Sequence, residues 1–156
     1  MSEAGYAAVL IRDMETASRR VKQERLLRST HRKEARMIPN KVLVVDDEKH
    51  LRMLYQDELQ GDGYTVATSD GTEPILDVIL REDPSVVVLD IKLGDHISGL
   101  NLLQEIRSSA LDRPVILSTA YDAFQHDLKS IAATAYVVKS VDLTELKAQI
   151  AAAMRG

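Results

Sequence analysis

Lys41–Glu48 reads KVLVVDDE and Val86–Leu93 reads VVVLDIKL. Each carries an unbroken run of Val and Leu that ends on acid. A β-branched run of this length, bounded by polar residues, is the pattern of a strand buried on both faces. Two more segments have the same form: Val115-Ile116-Leu117 behind Pro114, and Tyr136-Val137-Val138 before Lys139. Tyr64–Thr68 is a weaker strand, suited to a sheet edge. Helical spacing fills the gaps. Glu48 to about Gln60 places Leu51, Leu54, Tyr55 and Leu59 near one face, and Gly61 and Gly63 stop it. Gly71–Arg81 carries Ile75, Leu76, Ile79 and Leu80, with Pro74 in its first turn. After a loop from Asp90 to Ile97, Ser98 caps a helix reaching Arg107. A short helix is expected near Ala123–Ala132, and Asp142 caps a last one running to about Met154.

Strands alternating with helices predict an α/β fold, a parallel sheet covered on both faces. Right-handed crossovers make that sheet doubly wound. Ligands of such sheets sit beyond the carboxyl ends of the strands, near the point where strand order reverses. At those ends stand Asp46 and Asp47, Asp90, Ser118 and Thr119, and Lys139. Each has an ordinary explanation on its own: an acid in a loop, a turn residue, a cap, a solvated charge. Their joint placement at four strand ends points to chemistry. Clustered carboxylates repel unless a cation joins them, and Mg²⁺ suits such a site because it is hard, prefers oxygen and bridges to phosphate. A Lys and a Thr hydroxyl can bind other phosphoryl oxygens. The remaining carboxylate can then act as a nucleophile and form an acyl phosphate.

Composition narrows the alternatives. Of 156 residues, 45% are hydrophobic and 28% charged, which supports an ordinary core. With no Trp and one Phe, that core must be aliphatic. The absence of Cys excludes disulfides, thiolate chemistry and Cys-based zinc sites. The four His residues (His31, His50, His96, His126) have no metal-ligand spacing. No apolar run approaches a membrane span and no signal peptide is visible, so the expected location is cytoplasmic.

Four segments also resemble a known family. Lys41–Glu48, Val86–Leu93, Pro114–Tyr121 (PVILSTAY) and Tyr136–Leu143 (YVVKSVDL) look like the signatures of bacterial two-component response-regulator receiver domains, in matching order and spacing over about residues 40–154. The resemblance implies a flavodoxin-like, doubly wound sheet of five parallel strands with five helices. It implies that Asp90 is the phosphoacceptor and that Asp47 and Asp90 bind Mg²⁺ directly. Asp46 would act mainly through water, and the backbone carbonyl of Lys92 would complete the protein ligands. Thr119 would hydrogen-bond the phosphoryl group, Lys139 would pair with it, and Tyr136 would be the aromatic that turns inward with Thr119. The other explanation of Tyr136 is an edge-strand aromatic packed on the last helix. Three departures stand out: the loop before Gly99 is one residue longer than usual, Gly94 stands where Pro is common, and Ser140 replaces the Pro that usually follows the Lys through a cis peptide. A trans Lys139–Ser140 bond is expected, since cis costs about 2.5–4 kcal/mol before a non-proline residue.

The expected function is a phosphorylation-dependent signalling switch. A sensor histidine kinase or histidine phosphotransfer protein would donate to Asp90. Output would pass through an unknown partner protein or through onward phosphotransfer. The chain ends at Gly156, so no DNA-binding or enzymatic output module is expected after the last helix. Neither direct nucleic-acid binding nor catalysis beyond the chain's own phosphorylation and dephosphorylation is expected. One rival is an interaction module of the same fold that no longer accepts phosphate; the intact acids, Thr119 and Lys139 argue against it. Another is a nucleotide- or flavin-binding enzyme, but no Gly-rich phosphate loop follows the first strand.

Residues 1–39 stand apart as a basic N-terminal extension before a receiver at 40–156. Residues 1–36 hold nine basic and five acidic side chains, a net +4; the 11 basic and 19 acidic that remain give −8. Tyr6, Leu10, Met14, Ala17 and Val21 suggest an amphipathic helix. From Glu24 to Arg36 the stripe fades. Either the arm docks on a partner, on anionic lipid or on a second copy, or it is an appendage largely disordered when alone.

Overall fold

The computed structural model describes residues 3–36, 40–120 and 133–155. The chain forms two compact units, Met1–Ile38 and Pro39–Gly156. The first is one helix, α1 (Glu3–Arg36). It continues past Glu24, where the apolar stripe fades. Arg, Lys, Glu, Gln and Leu are good helix formers, and after Gly5 no Gly or Pro interrupts them. Its side chains from Ala8 to Leu27 are all exposed. Val9, Ile11, Leu26 and Leu27 lie off the expected stripe, so the apolar residues spread around the helix. Tyr6, the first residue of that stripe, has its side chain outside the description.

Among the described residues the second unit contains five parallel strands: β1 (Lys41–Val45), β2 (Thr65–Ser69), β3 (Val86–Asp90), β6 (Val115–Thr119) and β7 (Ala135–Val138). Their order is β2-β1-β3-β6-β7. The helices α2 (Lys49–Gly61), α3 (Ile75–Glu82), α4 (Gly99–Arg107) and α5 (Thr144–Arg155) cover the sheet. The helix expected near Ala123–Ala132 lies outside the described residues.

Period-two alternation divides the core. Leu43, Val45, Val87, Leu89, Val115 and Leu117 pack with Ile75, Val78 and Ile79 of α3 and Leu103 and Ile106 of α4. Val42, Val44, Val86, Val88, Ile116 and Val137 pack with Tyr55 and Leu59 of α2 and Leu146 and Ile150 of α5. Runs without polar residues were needed because both faces are covered. β2 pairs only with β1, and its Thr65 and Thr68 are exposed, as an edge allows.

Three details differ from the expectations. Helix α3 starts at Ile75, and Pro74 precedes it with its carbonyl accepting from Asp77 and Val78. Asp70 ties Thr72 into a turn through its carboxylate, and a residue before Pro disfavours helical backbone, so residues 71–74 stay outside. Ser98 stands at the start of α4 but its side chain makes no capping bond. The loop after Asp90 contains a small antiparallel hairpin, β4 (Lys92–Leu93) with β5 (Ile97–Ser98). Asp142 does accept the Thr144 backbone N–H at 3.0 Å, at the start of α5.

Sheet order reverses at β1: the chain goes from β1 to β2 on one side and then to β3 on the other. The carboxyl ends of β1 and β3 therefore border the crevice that this topology opens.

Candidate functional site

Neighbouring strand ends bring the polar residues together. Asp46 directly follows β1, Asp90 ends β3, Thr119 ends β6 and Lys139 directly follows β7. The Lys139 ammonium lies 2.7 Å from Asp46 Oδ2 and 2.8 Å from Asp90 Oδ2. All three are largely removed from water: their side chains are 11%, 2% and 7% exposed. Burial raises the Asp90 pKa and the Asp46 charge adds to it, while Lys139 opposes both. Burial alone would push Lys139 down; Asp46 and Asp90 more than reverse this, so its pKa is raised.

Beside this triad lies a cleft of about 330 Å³ lined by Asp47, Glu48, Asp90, Lys92, Thr119 and Lys139, among others. Asp46, Asp47 and Glu48 hold carboxylate oxygens within 4.8 Å of one another. Two buried carboxylates share one ammonium, and two exposed acids stand at the rim. Such an all-oxygen donor set fits a hard divalent cation. Glu48 was absent from the sequence-derived ligand set, although it is the third acid of the Asp46-Asp47-Glu48 run. Lys92 lines the cleft, and its N–H lies 3.4 Å from Asp90 Oδ1. A larger, mainly apolar cleft of about 600 Å³ adjoins through Thr119. The chemistry belongs to the smaller one, which holds the charges.

One departure, Gly94, has a physical reason. Gly94 has φ +65°, which proline cannot adopt, and its N–H donates to Asp47 Oδ2 at 2.9 Å. No cis peptide occurs among the described residues, so Lys139–Ser140 is trans. Lys139 still reaches both acids, and its backbone N–H donates to the Thr119 carbonyl at 2.7 Å. Thr119 is buried. Tyr136 is half-buried and packs with the α3–α4 side of the core. The last helix packs on the opposite face, so packing on that helix does not account for Tyr136.

Gly99 is a structural requirement that spacing alone does not reveal. A Cβ there would stand 1.9 Å from the backbone oxygen of Asp90. Gly99→Ala is expected to cost at least about 1–3 kcal/mol, because backbone must move. Urea unfolding measures this, and an unchanged midpoint would contradict it.

Residues 42–151 match the family model described as the response regulator receiver domain. A curated relative is the uncharacterized transcriptional regulatory protein YkoG of Bacillus subtilis, 38% identical over 73% of this chain and 50% of its own length. The chain thus spans about half the length of the curated relatives it matches. Among solved structures, response regulator protein TrrA from Thermotoga maritima, in complex with Mg²⁺-BeF, is 40% identical with TM-score 0.67, covering 73% of this chain and 98% of that one. A structure of histidine kinase ThkA in complex with TrrA also matches, at 39% identity and TM-score 0.66, covering 74% of this chain and 98% of that one.

Proposed function

Because the chain belongs to the response regulator receiver domain family, we propose that the Asp90 carboxylate is the phosphoacceptor of its phosphorylation-dependent switch. The observation that carries this reading is the Lys139 ammonium bonded at once to Asp90 and Asp46, beside an acid-lined cleft that Thr119 also lines. The donor is a phosphohistidine of a sensor kinase or of a histidine phosphotransfer protein; TrrA, the similar protein above, forms a complex with histidine kinase ThkA. An Asp90 oxygen attacks phosphorus, the O–P bond forms, and the P–N bond breaks with its electron pair left on the imidazole. Lys139 neutralises an arriving phosphoryl oxygen, and the Thr119 hydroxyl donates to another. Thr119 and Tyr136 then bias a two-state surface that includes β7 and α5. Output runs through a partner protein or onward phosphotransfer.

Asp46, Asp47 and Asp90, with the Lys92 carbonyl, would hold Mg²⁺, and Glu48 adds charge at the rim. Bound there, the ion supplies positive charge that offsets the phosphoryl oxygens. No described helix is long and apolar enough to cross a membrane, and a cytoplasmic location fits the proposed donor.

Acetyl phosphate with Mg²⁺, followed by mass spectrometry, tests this reading. One phosphate adduct on the peptide that holds Asp90 is expected. No adduct, or one elsewhere, overturns it. Asp47→Ala should need more Mg²⁺ for the same rate, and added Mg²⁺ should restore part of it. A loss that Mg²⁺ cannot relieve would make Asp47 structural.

We also take residues 1–39 as an appendage to a receiver at 40–156. Every proposed site residue and every strand among the described residues belongs to the second unit. Deleting residues 1–36 is therefore expected to leave the phosphorylation rate and the melting temperature unchanged. A large loss of either would make α1 a working part of the receiver.

A further inference from the structure

Tyr55 is 2% exposed and lies in the core cluster between the sheet and helices α2 and α5. Val44, Val88 and Ile116 belong to that cluster, so alternation turns Asp46, Asp90 and Ser118 to the same face one step nearer the strand ends. Asp90 and Ser118 are direct partners in the sheet register. Tyr55 thus stands where apolar core meets charged site. Its phenol is in the field of that site: burial raises its pKa, Ser118 and Lys139 lower it, and Asp46 and Asp90 raise it. Ser118 Oγ is buried without a hydrogen-bond partner, and it is close enough to Tyr55 to lower the phenol's pKa. A buried hydroxyl left unbonded is costly, and an apolar residue of similar size would avoid the cost.

We infer that Tyr55 and Ser118 are positioning residues, a hydroxyl pair beneath Asp46, Asp90 and Lys139 that keeps the carboxylates in place when Lys139 turns to the phosphoryl group. This rests on Asp90 as the acceptor. In the resting site the Lys139 ammonium holds both carboxylates. Phosphoryl transfer draws that ammonium toward a third group and weakens its hold on the other two. A hydroxyl reorients by rotation about one bond, without backbone movement. Two such rotors under the carboxylates can take over the donation while the strands stay in register.

The full chain carrying Tyr55→Phe, Ser118→Ala or Ser118→Thr tests the pair, with acetyl phosphate and Mg²⁺ as probes and melting temperature as the folding control. Tyr55→Phe and Ser118→Ala should each slow phosphorylation at saturating acetyl phosphate about tenfold, the size of one charge-assisted hydrogen bond. The concentrations giving half-maximal rate should stay unchanged. Ser118→Thr, which keeps the hydroxyl, should restore most of the rate. Wild-type rates in both hydroxyl-deleted variants would overturn the inference, as would a loss that Ser118→Thr shares with Ser118→Ala. If Tyr55→Phe does not fold, the two Ser118 variants decide. A wild-type chain that takes no phosphate would instead defeat the acceptor reading.

Discussion

Asp90→Ala is expected to abolish phosphate uptake from acetyl phosphate and to leave the fold intact. The loss should be complete because the proposed nucleophile is removed and Asp46, on the neighbouring strand, stays engaged: one oxygen takes Lys139 and the other accepts the Glu48 N–H at 2.9 Å. The fold should survive for an electrostatic reason. Two buried carboxylates share one ammonium in the wild type, and the variant leaves a balanced Asp46–Lys139 pair. The raised Asp90 pKa has the same consequence. A carboxyl whose folded pKa exceeds its unfolded value loses stability as pH rises from the ordinary carboxylate range through the raised value. Its removal therefore takes away a cost at neutral pH, and the melting temperature should stay within a few degrees. Mass spectrometry and a thermal melt give both answers. A phosphate adduct of wild-type yield on the variant would end the assignment.

Lys139→Met should be the most destabilising change at the site. It removes the cation between Asp46 and Asp90 and leaves two buried carboxylates facing each other, for which a loss of about 3–5 kcal/mol is expected. Adding Asp90→Asn should recover a large part, since one of the two charges goes. The pH dependence has a definite sign. Lys139 has a raised pKa, so its contribution is fully present below the ordinary Lys value of about 10.4 and is lost as pH rises through the raised value. The stability difference between wild type and Lys139→Met should thus be largest at neutral pH, shrink in strong base as Lys139 loses its proton, and shrink in acid as the raised Asp90 carboxyl takes one up. Denaturant unfolding at several pH values, without Mg²⁺, measures it. A difference below about 1 kcal/mol, the size of an exposed ion pair, would show that water screens the triad.

The central strands were legible because a sheet covered on both faces permits only unbroken apolar runs, and Val42–Val45, Val86–Leu89 and Val115–Leu117 are such runs. The first two runs stop at Asp46 and Asp90, the third at Ser118-Thr119, and Tyr136–Val138 stops at Lys139, so these candidate site residues could be named from their places at strand ends. Other features are not properties of local sequence. Gly71–Pro74 carries a helical pattern only until the Asp70 turn and the residue before Pro74 are considered together. The hairpin after Asp90 comprises two-residue strands, too short for any period to appear. Glu48 reads as the beginning of a helix, and its place beside Asp46 and Asp47 is a distance in space.

Unbroken apolar runs and crossover handedness were enough to specify a doubly wound parallel sheet with the acids, Thr119 and Lys139 at its strand ends. How those groups share charge depends instead on the packing of separate elements. Lys139 binds Asp46 and Asp90 together, Asp47 turns to the Gly94 N–H, Gly99 touches the Asp90 carbonyl, and Tyr55 packs with Val44, Val88 and Ile116. Each of these contacts joins residues from different elements of the fold. Their distances follow from strand register and helix packing, which period and composition do not encode.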